Sequence, residues 1–232
     1  MTTHSTRQPS RSWRPTAPSR ASRTISRRSN RSGRVTIVTA NDHRRIHCES
    51  YLEARVAYVL LARPDVADVS EQPAAVKYRD EDGRSRLHFF DFLVTRRDGT
   101  RIAVAVKPAK VARRKNLLAL LARIAAQLPP GFADAVLLLT DEDLTPALVA
   151  NAKMIHSVRR GRDPELDARV AALAAELNGR VTVATLVEVL GAAGEGFRAV
   201  VRAVADGILR LVGRGEIGYG TWLEPAPGQA LP

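Results

Sequence analysis

Asp91 sits in the run Phe89-Phe90-Asp91-Phe92-Leu93-Val94, and Lys107 closes Arg101-Ile102-Ala103-Val104-Ala105-Val106 just ahead of Pro108. Charged side chains enter apolar runs of this kind only when they are paired or used, because an unpartnered buried charge is costly. A carboxylate on one strand of a hairpin and an ammonium near the end of the next is a pattern suited to phosphodiester cleavage. There a divalent ion held by oxygen ligands polarises the phosphate and activates water, and a cation steadies the developing charge. A third candidate is Glu53, three residues after Ser50. The plain alternatives are a structural Asp91–Lys107 ion pair, an edge-strand lysine, and a capping box for Glu53.

These residues need a frame to bring them together, and the periodicities from Val35 to about Leu148 supply one. Ser50 opens a helical run through Val56, Val59 and Leu60 that stops before Pro64. Residues 66–69 read as a short extended piece and 74–78 as a strand, with a turn at Asp80-Glu81-Asp82-Gly83. Residues 87–95 and 101–106 form a hairpin about Arg97-Asp98-Gly99. A helix over 113–128 ends at Pro129-Pro130-Gly131, an apolar strand follows at 135–139, and a helix over 145–158 carries Pro146 in its first turn. The order is αβββαβ, and its last crossover predicts that the strand at 135 runs parallel to the one at 101.

Beyond Gly161-Arg162-Asp163-Pro164 a second unit begins. Helices over 165–177, 185–190 and 197–211, then a Gly-rich ribbon over 213–223, give the plan of a winged helix. Its third helix offers Arg198, Arg202 and Arg210 as basic residues, too few to decide between DNA and a protein partner. The glycines at 191–196 do not follow a strand in a phosphate-binding pattern.

The formal charge of +12 is unevenly spread: residues 1–34 hold nine arginines and no acid, and the rest carries 27 basic against 24 acidic residues. Residues 1–34, rich in Ser, Arg, Thr and Pro, bury too little to offset ordering entropy and read as a disordered basic tail. Its arginines, Arg27, Arg28, Arg31 and Arg34 among them, suit nucleic-acid phosphate. An untranslated leader or a transit peptide are the other readings of the tail. Arg113, Arg114 and Lys115 form a second basic cluster. One cysteine, Cys48, excludes an internal disulfide and a cysteine zinc site, and reads as a core residue. No apolar run approaches the ~18 residues of a membrane span, so a soluble, cytoplasmic protein is expected.

The pieces Glu49-Ser50-Tyr51-Leu52-Glu53, Pro64-Asp65-Val66, Glu71-Gln72-Pro73, Asp91-Phe92-Leu93-Val94 and Val104-Ala105-Val106-Lys107-Pro108 resemble the TnsA-type transposon endonucleases. These belong to the restriction-endonuclease-like superfamily. The resemblance covers roughly residues 45–220. It implies an α/β fold, with a restriction-endonuclease-like αβββαβ core at 35–160 and a small C-terminal winged-helix domain at 161–232. It further implies a Mg2+- or Mn2+-dependent DNA endonuclease acting beside a transposase and an ATPase regulator. Position by position, Glu53 matches the first-helix acid, Asp91 the central metal ligand and Lys107 the catalytic lysine. The Gln or Glu that the family places two residues before the lysine falls on Ala105, whose methyl group binds no metal. That departure keeps open a degenerate relative that binds DNA or a partner without cutting, or a winged-helix DNA-binding regulator.

Overall fold

The computed structural model describes residues 15–23 and 33–227. Two short strands open the second stretch, β1 (Val35–Val38) and β2 (Arg45–Cys48), paired antiparallel from Val35↔Cys48 to Val38↔Arg45. Helix α1 (Tyr51–Ala62) follows. Its N-cap is Ser50, whose hydroxyl accepts the Glu53 N–H, and the extended Arg63 before Pro64 ends it. Next come β3 (Val66–Glu71), β4 (Val76–Arg79), β5 (Ser85–His88), β6 (Phe92–Arg96) and β7 (Arg101–Val106). Helices α2 (Ala109–Arg114) and α3 (Leu117–Ala125) lead to β8 (Ala135–Leu139) and α4 (Pro146–Val158).

Four strands form one mixed sheet in the order β3-β6-β7-β8, while β4 and β5 pair as a separate hairpin. β3, β6 and β7 are antiparallel, and β8 runs parallel to β7 from Ile102↔Ala135 to Val106↔Leu139. The parallel crossover read from sequence is therefore present. Alternation along β7 divides two cores. Val104 and Val106 pack with α1 residues Val56 and Ala57 on one face. On the other, Ala103 and Ala105 pack with Leu117, Leu121 and Ile124 of α3. The fold is mixed α/β.

Three local readings are corrected. β1 and β2 were not anticipated, because four-residue strands carry too little alternation to register. The helix expected over 113–128 is two helices broken at Asn116, whose backbone is left-handed at φ 44°, and it starts earlier, at Ala109. The strand expected over 87–95 is interrupted at Phe89–Asp91, so Asp91 lies at a bend ahead of β6 rather than within it.

The C-terminal stretch contains α5 (Pro164–Glu176), β9 (Val181–Thr182), α6 (Val183–Leu190), α7 (Ala193–Ala205), β10 (Leu209–Leu211) and β11 (Trp222–Pro225). The strands form an antiparallel sheet in the order β10-β11-β9. The third helix stops six residues earlier than expected. Gly207 adopts φ +75° there, and Leu209–Leu211 becomes a strand. α7 is enclosed: Val200 and Ala203 pack with α5 and α6, while Val201 and Ala205 pack with Ile155 and Val158 of α4.

Of the basic tail expected over 1–34, residues 15–23 lie against the folded unit, while residues 1–14 and 24–32 lie outside the described residues. Ala17 bridges Arg44 in parallel, with its N–H on His43 O at 2.9 Å and its carbonyl accepting from Arg45 N at 3.0 Å. The Ser22 N–H reaches Gln72 O at 2.9 Å, and the Ser19 hydroxyl binds Glu71 Oε1. Composition weighs only apolar burial, whereas this segment is held by backbone pairing and by acids of the folded unit. Beneath it lies Arg44, 2% exposed, with Nη1 on Glu71 at 3.0 Å, Nη2 on Asp68 at 3.2 Å and on Val69 O at 2.9 Å, and Nε on Asp42 at 3.2 Å. Glu71 is 0% exposed. Removing one member of such a pair strands the other in the core. Arg44→Met is thus expected to cost about 3–5 kcal/mol of folding free energy, read from the urea unfolding midpoint, with Arg44→Met/Glu71→Leu losing less.

Candidate active site

The site forms where β6 begins and β7 ends. The Asp91 N–H bonds Val104 O at 2.9 Å and its carbonyl accepts the Gln72 N–H at 2.8 Å, so the bend stays tied to strands on both sides. Its carboxylate turns along β7. Oδ2 accepts the Val106 N–H at 2.6 Å and the Lys107 Nζ at 3.3 Å, while Oδ1 has no hydrogen-bond partner among the described residues. Lys107 itself is fixed by its N–H on Leu139 O at 3.1 Å, across to β8, and its side chain reaches solvent.

Glu53 approaches from the first turn of α1 and is buried. Ser50 caps the helix by accepting the Glu53 N–H at 3.1 Å, while Glu53 Oε2 accepts the N–H of Glu49, one residue before the cap, at 2.7 Å and Oε1 the Ser50 hydroxyl at 2.9 Å, so only the serine half of the expected capping box is formed. Burial first, and the Asp91 charge second, raise its carboxyl above the ordinary 4.5, against the lowering pull of Glu49 N–H, Ser50 and Lys107. The structure thus brings Glu53, Asp91 and Lys107 into one electrostatic neighbourhood. Cys48 lies in it too: burial and the Glu53, Glu71 and Asp91 charges push its thiol up to about 12, which makes it an inert core group.

Among the described residues no three acid, imidazole or thiol side chains converge into a ready-made metal cage. The donor set nevertheless suits a hard cation that keeps most of its own waters: two carboxylates, like-charged and crowded, with one oxygen of Asp91 uncommitted. It does not suit a closed four-ligand zinc site.

Ala105 is 2% exposed and packs with Phe90, Leu93, Leu117 and Leu121. The position two before Lys107 is thus a wall of the second core. Two polar atoms near the site escaped sequence reading. Nε2 of His88 is buried without a partner, its ring 4.6 Å from Phe90, and burial lowers its pKa while Asp91 and Lys107 act on it in opposite senses. Oε1 of Gln72 is likewise buried and unpartnered, on a residue with φ 43°. A His three residues before Asp91 was the available sequence signal.

The basic candidates make no hydrogen bond or ion pair with Asp91 or Glu53 among the described residues. Arg34 is exposed before β1; Arg113, Arg114 and Lys115 end α2, and Arg113 is held bidentately by Glu142 at 2.8 and 2.9 Å. Arg27, Arg28 and Arg31 lie outside the described residues. Arg202, offered as basic by α7, is buried and bonded to Asp167 at 2.6 Å and Gly161 O at 3.1 Å, so it contacts no ligand.

A mixed sheet thus gathers an aspartate and a lysine with a helix-borne glutamate nearby. Residues 63–128 match the family model described as TnsA-like endonuclease N terminal. That stretch, which runs through β3 to α3 and includes Asp91 and Lys107 but not Glu53, is similar to the TnsA-type endonucleases. A search among curated proteins returned no match. No helix among the described residues is long and apolar enough to cross a membrane.

Two outcomes follow from the local physics. The folded state takes up the Glu53 proton more readily than the unfolded chain, so this group's contribution to stability falls as pH rises through and above 4.5. Relative to the wild type, Glu53→Gln should therefore gain more stability at pH 7 than at pH 4 in urea unfolding. Ala105→Glu should lose about 3 kcal/mol or more at neutral pH, because it forces a carboxylate into the Leu117–Leu121 core.

Proposed function

We propose that the protein is a Mg2+- or Mn2+-dependent DNA endonuclease of the TnsA type, hydrolysing phosphodiester bonds at Asp91, Glu53 and Lys107. The observation that carries it is the Asp91 carboxylate, pinned by the Val106 N–H and Lys107, with its second oxygen unpartnered among the described residues. Asp91 and Glu53 would hold the ion. When bound, it would polarise the phosphate and make the attacking water more acidic. Asp91 is kept in one rotamer by its two bonds, so Oδ1 is presented without reorganisation. Glu53, clamped by Glu49 and Ser50, is a fixed acceptor beside it. Among the described residues Lys107 donates to Asp91 alone, which keeps ammonium protons for the charge that builds on the phosphate.

The αβββαβ order, with β8 parallel to β7, supports a restriction-endonuclease-like core at 35–160. Three helices and the sheet β10-β11-β9 support a winged-helix-like unit at 161–232. Its third helix is enclosed and starts with Ala193-Gly194-Glu195-Gly196, which favours a protein partner over a DNA groove for that unit. A transposase and an ATPase regulator, implied by the resemblance, are the partners proposed. The buried Ala105 favours a second reading, a degenerate relative that binds DNA or such a partner without cutting.

Purified full-length protein with Mg2+ or Mn2+ is expected to cut duplex DNA. Asp91→Ala should reduce cleavage to background, and Lys107→Met should slow it about 100-fold or more. Wild-type protein that cleaves no DNA tested above the Asp91→Ala level overturns the enzyme in favour of the degenerate relative.

A further inference from the structure

We propose that Arg23 and Phe89 form a strand clamp at the mouth of the Asp91 site, the guanidinium taking a DNA backbone phosphate and the ring a base. The clamp rests on the nuclease reading above and gives one arginine of the basic tail a defined place beside the site, with an aromatic partner that neither the resemblance nor the charge distribution indicates.

Arg23 ends the segment that lies against β3. The Ser22 N–H and hydroxyl both bond Gln72 O at 2.9 Å, and the hydroxyl also reaches Pro73 O at 2.9 Å, so backbone pairing sets where Arg23 begins. From there Nη2 donates to Glu49 Oε2 at 2.7 Å, and the guanidinium carbon sits 5.6 Å from the Phe89 ring centroid. Each contact belongs to a different arm of the site. Glu49 supplies the N–H that holds Glu53, and Phe89 stands two residues before Asp91. One side chain therefore spans the opening between the helix-borne and strand-borne acids.

What it leaves available suits a nucleic-acid strand. A guanidinium has five N–H donors, and among the described residues only Glu49 accepts one of those of Arg23. The side chain is 40% exposed, so the remaining donors face solvent in a fork that matches phosphate oxygens. Phe89 is 47% exposed, and an isolated exposed aromatic needs no explanation. One capped by an arginine beside a hydrolytic centre is a flat platform, the surface on which single-strand binders stack bases. The Glu49 pair is itself rim-exposed and worth little, so sharing Arg23 with a phosphate costs little.

The test measures binding of labelled duplex and frayed-end DNA to full-length protein by fluorescence anisotropy in EDTA, over a salt series. Arg23→Gln should weaken binding about three- to tenfold and flatten the slope of log affinity against log salt by about one. Arg23→Lys should restore the slope but not the full affinity, since an ammonium does not stack. Phe89→Leu should weaken binding and leave the slope unchanged. Wild-type affinity and slope in both Arg23→Gln and Phe89→Leu, with Asp91-dependent cleavage intact, overturns the clamp and leaves the nuclease standing. Wild-type protein that neither binds nor cuts DNA overturns the nuclease reading, and the clamp with it.

Discussion

The Arg44 guanidinium is the constraint on which the described architecture hangs. It is buried with four of its N–H bonds spent on Glu71, Asp68, Asp42 and Val69 O. A planar fork with fixed donor directions accepts one arrangement of carboxylates, so it sets the spacing between the β1–β2 hairpin and the edge strand β3. Glu71, fully buried by that pairing, also takes the Ser19 hydroxyl and so anchors the N-terminal segment. The next residue, Gln72, carries the consequence to the site. Its left-handed backbone aims an N–H at Asp91 O, so the backbone at Asp91 is tied directly to the charge cluster at the C-terminal end of β3.

At the site, one carboxylate solves two problems. The bend at Asp91 interrupts β6 pairing, and the Val106 N–H near the end of β7 needs an acceptor. Asp91 Oδ2 provides it at 2.6 Å. The residue thus has a structural duty that leaves its other oxygen unused, which reconciles the ion-pair reading of Asp91 with the catalytic one. The same holds for Glu53, whose carboxylate clamps the Glu49 N–H and the Ser50 hydroxyl while burial and the Asp91 charge raise its pKa. Structural and chemical roles of these residues are not alternatives.

Much of this was legible in the sequence because it rests on local rules. The Ser50 cap, the Gly99 turn, Pro146 at a helix start and the parallel β8 crossover follow from turn chemistry, capping and chirality. The remainder depends on partners distant in the chain. Arg44 carries no sign that it is buried, since Glu71 lies 27 positions away. Arg202 looks like a groove-facing arginine until Asp167 and the α4 packing enclose it. Ala105 is visible as a missing ligand, but that its face belongs to a closed apolar core emerges only when α3 is docked against it.

Residues 15–23 are joined to the fold by hydrogen bonds and rim charges, with almost no apolar burial, and their partners fall in two later stretches, residues 42–49 and 68–73. Such a segment opens at lower free energy than the sheet beneath it and exchanges its amide protons sooner. During synthesis Ala17 can pair once residues 43–45 emerge, while Ser19 and Ser22 wait for the end of β3. The rim of the site is the part released first. The fraction of molecules with a finished rim is an equilibrium population that ionic strength tunes, while the Arg44–Glu71 pair below it is too dry to be screened.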